Sequence, residues 1–251
     1  VEADRQELTQ AKIREVSEVV AGQLQRAHEL GAAEVCGVAT AAIRRARNGC
    51  ALVAAIRSDS GLEVEILSAA EEAHLAFTGA AHTLVHPPPG ELGVVDVGGG
   101  SSELVVGSSP NRVSWFASFP LGSGELAARC LTSDPPSRAE VSAARERVIS
   151  EFAGLDAPRP VQAVAVGGSA SSLSRLAGAR LDADAFRRSL QVLVAKPAQE
   201  VADAFGLEVE RVRLLPAGLL ILQAASDALR SPLRVVSGGL REGVLLERFH
   251  G

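Results

Sequence analysis

Along this chain the apolar positions change period several times, and each change marks a new element. Ile13, Val16, Val20, Leu24, Ala27 and Leu30 recur every third or fourth residue, which predicts an amphipathic helix closing at Gly31. Residues 34–39 read as a short buried strand, and 40–47 as a basic helix ended by Asn48-Gly49. A further helix is predicted over 51–59, followed by a strand with one wet face where 62–67 alternate. The next helix opens at Ser68. Ser68 and Glu71 have the spacing of a capping box, which gives Glu71 a structural task. Glu72 points about 100° away round the helix and needs another role.

His86-Pro87-Pro88-Pro89-Gly90 can neither continue a helix nor join a central strand, so a domain boundary is predicted there, separating 1–90 from 91–251. Beyond it, Leu92–Val97 reads as a buried strand, followed by Gly98-Gly99-Gly100, two serines, Glu103 and a second apolar strand. A third strand over 112–119 makes an antiparallel meander. Helices lie on either side of Pro135-Pro136, the longer over 138–152. A buried strand over 161–166 closes on Gly167-Gly168-Ser169, which enters a helix. Helices over 184–193, 197–205 and 216–229, a last strand over 233–237 and a final helix over 240–248 complete the chain.

This order describes an α/β layer: a mixed sheet with a meander, extended by strands reached through helical crossovers. It is the ribonuclease H-like topology of the actin, Hsp70 and sugar-kinase group. A two-domain member would place two such units across an inter-domain cleft. Ligands of such layers belong at the carboxyl ends of the strands, where Asp96, Gly167 and Ser237 fall.

Composition narrows the function more than the fold. The 251 residues carry a formal net charge of −5 and no basic tract, which speaks against a nucleic-acid surface. No apolar run approaches a membrane span and no signal segment opens the chain, so a soluble, cytoplasmic protein with no membrane partner is expected. Cys36, Cys50 and Cys130 lie far apart without metal-ligand spacing and are expected to be buried thiols. The chain begins at Val1 and contains no methionine, which suggests a segment missing at the front.

The chemistry concentrates in Asp96–Glu103. Glycines let backbone N–H groups approach an anion, and carboxylates at strand ends can hold a metal or a water. The turn lacks the lysine of a Walker A loop and leads into a strand where a dinucleotide fingerprint would open a helix. Phosphate chemistry outside those two classes is indicated, against the plainer alternative of a glycine hairpin. Gly167-Gly168-Ser169 is a second anion or nucleotide contact of weaker specificity. Arg44, Arg45 and Arg47 are candidate cations; in a helix Arg44 and Arg47 would share a face.

Several of these segments together resemble the exopolyphosphatase and guanosine pentaphosphate phosphohydrolase family, Ppx/GppA. They are 39–44 with 46–49, Glu71-Glu72-Ala73, 96–104, Pro120-Leu121-Gly122, 215–218 and 237–245. The resemblance implies a short two-domain form whose first domain is incomplete at its N-terminus, because members open with a strand and an Asp-Gly-Ser-Asn-type phosphate loop. It implies Mg²⁺-assisted attack of water on a terminal phosphoryl group of inorganic polyphosphate or pppGpp. Glu72 would be the general base, and Asp96 and Glu103 would hold the metal or the water. Arg44 and the Gly98, Gly99, Gly100 and Ser101 backbone would bind phosphate. It further implies guanosine penta- and tetraphosphate as ligands, a place in the stringent response, and a homodimer. Two alternatives stay open: an ATPase or kinase of the same fold, using the Gly167 loop, and a non-catalytic sensor of guanosine penta- or tetraphosphate.

Overall fold

The computed structural model describes residues 7–108 and 112–249. The chain forms two compact units that divide between Ala69 and Ala70. This lies upstream of the proline run at which the sequence predicts a boundary. The prolines do interrupt regular structure, but the helix before them belongs with the sheet after them: its Ala73, Phe77, Ala80 and Ala81 pack on strand residues of the second unit.

The first unit contains α1 (Gln10–Glu29), β1 (Gly37–Ala39), α2 (Ala41–Arg45), α3 (Gly49–Ser60) and β2 (Val64–Ile66). β1 and β2 pair in parallel, Val38 opposite Glu65. Thr9 caps α1 by accepting a hydrogen bond from the Lys12 amide. The apolar stripe of α1 meets α3 through Ile13, Leu52 and Ile56. Asn48 does more than break the chain: its side chain accepts from the Leu8 amide at 2.8 Å and donates to the Leu8 carbonyl at 2.9 Å. The basic helix is shorter than its sequence suggests, because α2 ends at Arg45 and Arg47 lies in the turn beyond it.

The second unit holds α4 (Ala69–His82), β3 (Leu92–Val97), β4 (Ser102–Ser108), β5 (Arg112–Phe119), α5 (Ser123–Cys130), α6 (Arg138–Phe152) and β6 (Gln162–Val166). It continues with α7 (Gly167–Ala177), β7 (Arg180–Leu181), α8 (Ala183–Ala195), α9 (Ala198–Phe205), α10 (Val209–Leu229), β8 (Leu233–Val235) and α11 (Leu240–Phe249). The strand order is β5-β4-β3-β6-β8-β7. β3, β4 and β5 form the expected meander, while β6 joins β3 and β8 in parallel. This is the ribonuclease H-like arrangement predicted from the element order. The two-residue β7 carries too little pattern to be seen in the sequence.

Side chains of β3 and β4 alternate between two cores, as a pleated strand requires. Val95, Val97, Leu104 and Val106 enter a core shared with α5–α10, whereas Leu92, Val94 and Val105 face α4. Position 96 continues the α4-facing set of β3. Position 103 lies directly opposite on β4 and does the same.

α10 starts well before Pro216, the residue at which the sequence pattern alone begins a helix, and carries that proline in its interior. The ring removes one helical hydrogen bond, but the surrounding residues Leu215 and Ala217–Leu222 are all buried, so packing holds the helix through it. At 21 residues α10 also meets the length and apolarity of a membrane span, contrary to expectation. Here the apolarity serves the core, since most of its length is buried against the second unit. The cysteines depart from expectation too. Cys36 and Cys50 are exposed and Cys130 is half-buried, all as free thiols.

Candidate functional site

Three carboxylates occupy the α4 face of the second unit's sheet. Asp96 is one residue from the carboxyl end of β3, and Glu103 sits across from it on β4. Directly opposed residues on one face have Cβ atoms roughly 4.5–5.5 Å apart. Glu72, in the first turn of α4, is 6 % exposed, whereas its neighbour Glu71 is exposed. The helical rotation between them therefore separates an outward residue from an inward one, as their adjacency predicts. A carboxylate in the first turn is also favoured by the helix dipole.

The electrostatics are those of crowded negative charge. Burial and then the Glu72 and Glu242 carboxylates raise the Asp96 pKa to about 6. Glu103, almost fully buried, is pushed up to about 7 by burial and by Glu72, with a smaller push from Asp96. Hydrogen bonds from Ser118 and Ser101 oppose that rise. Ser118 Oγ donates to Glu103 Oε1 at 2.9 Å from the facing position on β5. These two serines orient the carboxylate as well as stabilise its ionised form.

The glycine turn is held in shape by the start of α5. The Gly98 amide donates to the Ser101 carbonyl at 3.0 Å, closing the turn. The Gly98 carbonyl accepts from the Ser123 amide, and the Gly99 carbonyl from the amides of Gly124 and Glu125. The N-terminus of α5 is thus bound to the turn's carbonyls. A Cβ on Gly122 would overlap the backbone of Gly99 and Gly100, so that approach requires glycine. The Gly98 N–H is therefore used within the turn.

The second glycine turn meets the same carboxylate. Gly167, first residue of α7, has φ +84°, and a Cβ there would stand 2.5 Å from Asp96 Oδ1. A Cβ on Gly168 would stand 2.6 Å from Arg211 Nη1. Ser169 follows in the same turn of α7, half-buried. Asp96 and the Gly167 turn are therefore adjacent. Arg44 belongs to the first unit, where its Nη1 donates to the Leu67 carbonyl at 2.6 Å.

Three contributors are not visible in the sequence pattern. Ser118 emerges only once the β4–β5 register is known. Arg211 requires knowing that α10 begins at Val209. Glu242 lies within 237–245, but a glutamate in a first helical turn is ordinarily a surface residue and carries no signal of its own. It sits in the first turn of α11, whose Gly243 lies so near the Leu75 carbonyl of α4 that a Cβ would overlap it.

Among the described residues no three His, Cys, Asp or Glu side chains are grouped closely enough to hold a metal by themselves. A paired Asp96 and Glu103 with raised pKa values still fit a hard cation of the Mg²⁺ type. Such an ion takes one or two carboxylates and completes its shell with water and substrate phosphates.

Comparison with known proteins places the chain. The model of the Ppx/GppA phosphatase family matches residues 2–250. Exopolyphosphatase 1 of Mycobacterium leprae is 30 % identical over 236 residues, covering 87 % of this chain and 69 % of that protein. Exopolyphosphatase 1 of Mycobacterium tuberculosis is also 30 % identical, covering 87 % and 68 %. The crystal structure of the Aquifex aeolicus Ppx/GppA family member superimposes with a TM-score of 0.78 at 28 % identity, covering 96 % of this chain and 82 % of that one. An exopolyphosphatase from Cytophaga hutchinsonii, 21 % identical, shares the fold with a TM-score of 0.86 over 98 % of this chain and 84 % of its own.

Proposed function

This chain belongs to the Ppx/GppA phosphatase family, and we propose that it is an exopolyphosphatase, a phosphoanhydride hydrolase removing terminal phosphate from inorganic polyphosphate. The observation that carries the reading is the convergence of Glu72, Asp96 and Glu103 on one face of the sheet beside the glycine turn. A glycine hairpin with a structural task alone gives no reason to hold three carboxylates together against their mutual repulsion. The names of the mycobacterial relatives favour polyphosphate over pppGpp as the principal substrate.

In this reading Glu72 accepts the proton of a water as its oxygen attacks the terminal phosphorus in line. The bond to the bridging oxygen breaks, and the shortened chain leaves with the electron pair. Asp96 and Glu103 would hold Mg²⁺, which when bound neutralises phosphate charge and draws electron density from phosphorus. Ser101 and Ser118 favour the ionised form of Glu103 and orient it towards that duty. The backbone of the Gly98–Ser101 turn would stabilise the charge on the phosphoryl oxygens. Arg44 is the phosphate-binding arginine by family resemblance. Arg211, beside the Gly168 turn, offers a further cation to a polyanion.

The test is phosphate release from polyphosphate, pppGpp and ATP with Mg²⁺. Release from polyphosphate well above that from ATP is expected. Tight polyphosphate binding without any release would identify a sensor, and preferential ATP turnover would identify an ATPase; either result overturns the proposal.

A further inference from the structure

A cavity away from the carboxylates lies among α6, α8 and α10 of the second unit. It is a half-open hollow of about 550 Å³, within the range of small-molecule sites. α6 contributes positions 138, 141 and 145, and α8 contributes 183, 186, 187, 190, 191 and 194. Both sets follow helical spacing, so each helix turns one stripe towards the cavity. The walls are apolar, from Val141, Phe186, Leu190 and Val194.

Its charge is one-sided. Arg138, Arg145 and Arg187 line the cavity and no carboxylate does, in a chain where Asp and Glu outnumber Lys and Arg by 30 to 25. Arg187 also pairs with Asp184 at 2.8 Å on the outer surface, and Arg145 donates to Gln223 at 3.2 Å. The Arg138 side chain has no ion pair or hydrogen bond among the described residues. It stands at the first position of α6, where the helix dipole disfavours a cation. An anion held between these guanidiniums would relieve that repulsion, while the aliphatic and aromatic wall would take an apolar body.

We propose that the cavity between α6 and α8 binds a small amphipathic anion, a carboxylate or phosphate head carried on an acyl-type or aromatic body. A simple phosphate would leave the apolar wall wet, and a neutral lipid would leave the Arg138 guanidinium without a counter-charge. The cavity lies on the α10 side of the sheet, whereas Glu72 packs on the α4 side. The ligand is therefore distinct from the phosphate substrate.

The experiment is calorimetric titration of the full chain with decanoate and with decyl phosphate, with decanol, decyltrimethylammonium and inorganic phosphate as comparisons. Saturable binding of at least one anionic amphiphile is expected, stronger than any comparison compound. The double substitution Arg138→Glu, Arg187→Glu should weaken it by about tenfold or more. Because both side chains are exposed, the variant's unfolding midpoint serves as a check of folding. A cavity-filling Leu190→Trp gives a second, charge-neutral variant that should also reduce binding. Carboxylate-only or phosphate-only binding would each support the proposal and identify the head group. Binding no stronger for the anions than for decanol, or undiminished in both folded variants, would overturn it. So would sedimentation showing a dimer that both cavity variants abolish.

Discussion

At the scale of single residues the site is governed by crowded negative charge. Asp96 and Glu103 have pKa values raised from 3.8 and 4.5 to about 6 and about 7. Each therefore binds its proton more tightly in the folded state than in the unfolded chain. Their contribution to stability is fully present below the unfolded values and is lost as pH rises through the folded ones. With divalent cations chelated, the unfolding midpoint is predicted to fall between about pH 4 and about pH 7 on account of these two groups. Asp96→Asn should flatten that fall, and Mg²⁺ should restore the midpoint of the unsubstituted protein at pH 7 and above. A midpoint insensitive to both changes would show that the two groups do not titrate as described. Ser118→Ala removes one hydrogen bond to Glu103, worth about 1 kcal/mol. Since that bond holds the carboxyl's pKa down, the acid limb of the pH–rate profile should move to higher pH. Ser118→Thr, which keeps the hydroxyl, should move it less.

At the scale of elements, catalysis depends on how closely α4 is held. A Cβ on Gly79 would overlap the Gly239 carbonyl, and one on Gly243 would overlap that of Leu75. Gly79→Val is predicted to destabilise by about 1–3 kcal/mol through overpacking. By shifting α4 it should also lower kcat. Chemical denaturation and steady-state kinetics of the same preparation would check both effects. An unchanged midpoint would show that the interface yields freely. Much of this scale was legible in the sequence, because the strand periods of 92–97 and 104–106 and the intervening glycines identify the turn from local pattern alone. The α6 boundaries, 138–152, are those the sequence predicts beyond Pro135-Pro136, and in the structure Ser137 and Glu140 close its start as a capping box. The misread features were decided by tertiary packing. Pro216 looks like a helix start, yet buried neighbours carry α10 through it. The proline run at 87–89 looks like a domain boundary, yet the Phe77 face of α4 belongs to the sheet beyond it. Ser118 and Arg211 carry no local signal, since only strand register and the true start of α10 bring them to the site.

At the scale of the molecule, the second unit contains the six-stranded sheet, both cores that flank it, and all three carboxylates. Residues 70–251 expressed alone are predicted to unfold cooperatively, with coincident transitions by far-UV circular dichroism and by fluorescence of Trp115, the chain's one tryptophan. Non-coincident or featureless transitions would show that this unit needs the first to fold. The account as a whole turns on Glu72 as the group that takes the proton of the attacking water. Its most direct test is the rate of phosphate release from polyphosphate by Glu72→Gln in saturating Mg²⁺, with polyphosphate binding measured on the same protein. The predicted result is a fall in kcat of roughly a hundredfold or more with binding retained; turnover equal to that of the unsubstituted chain would contradict it.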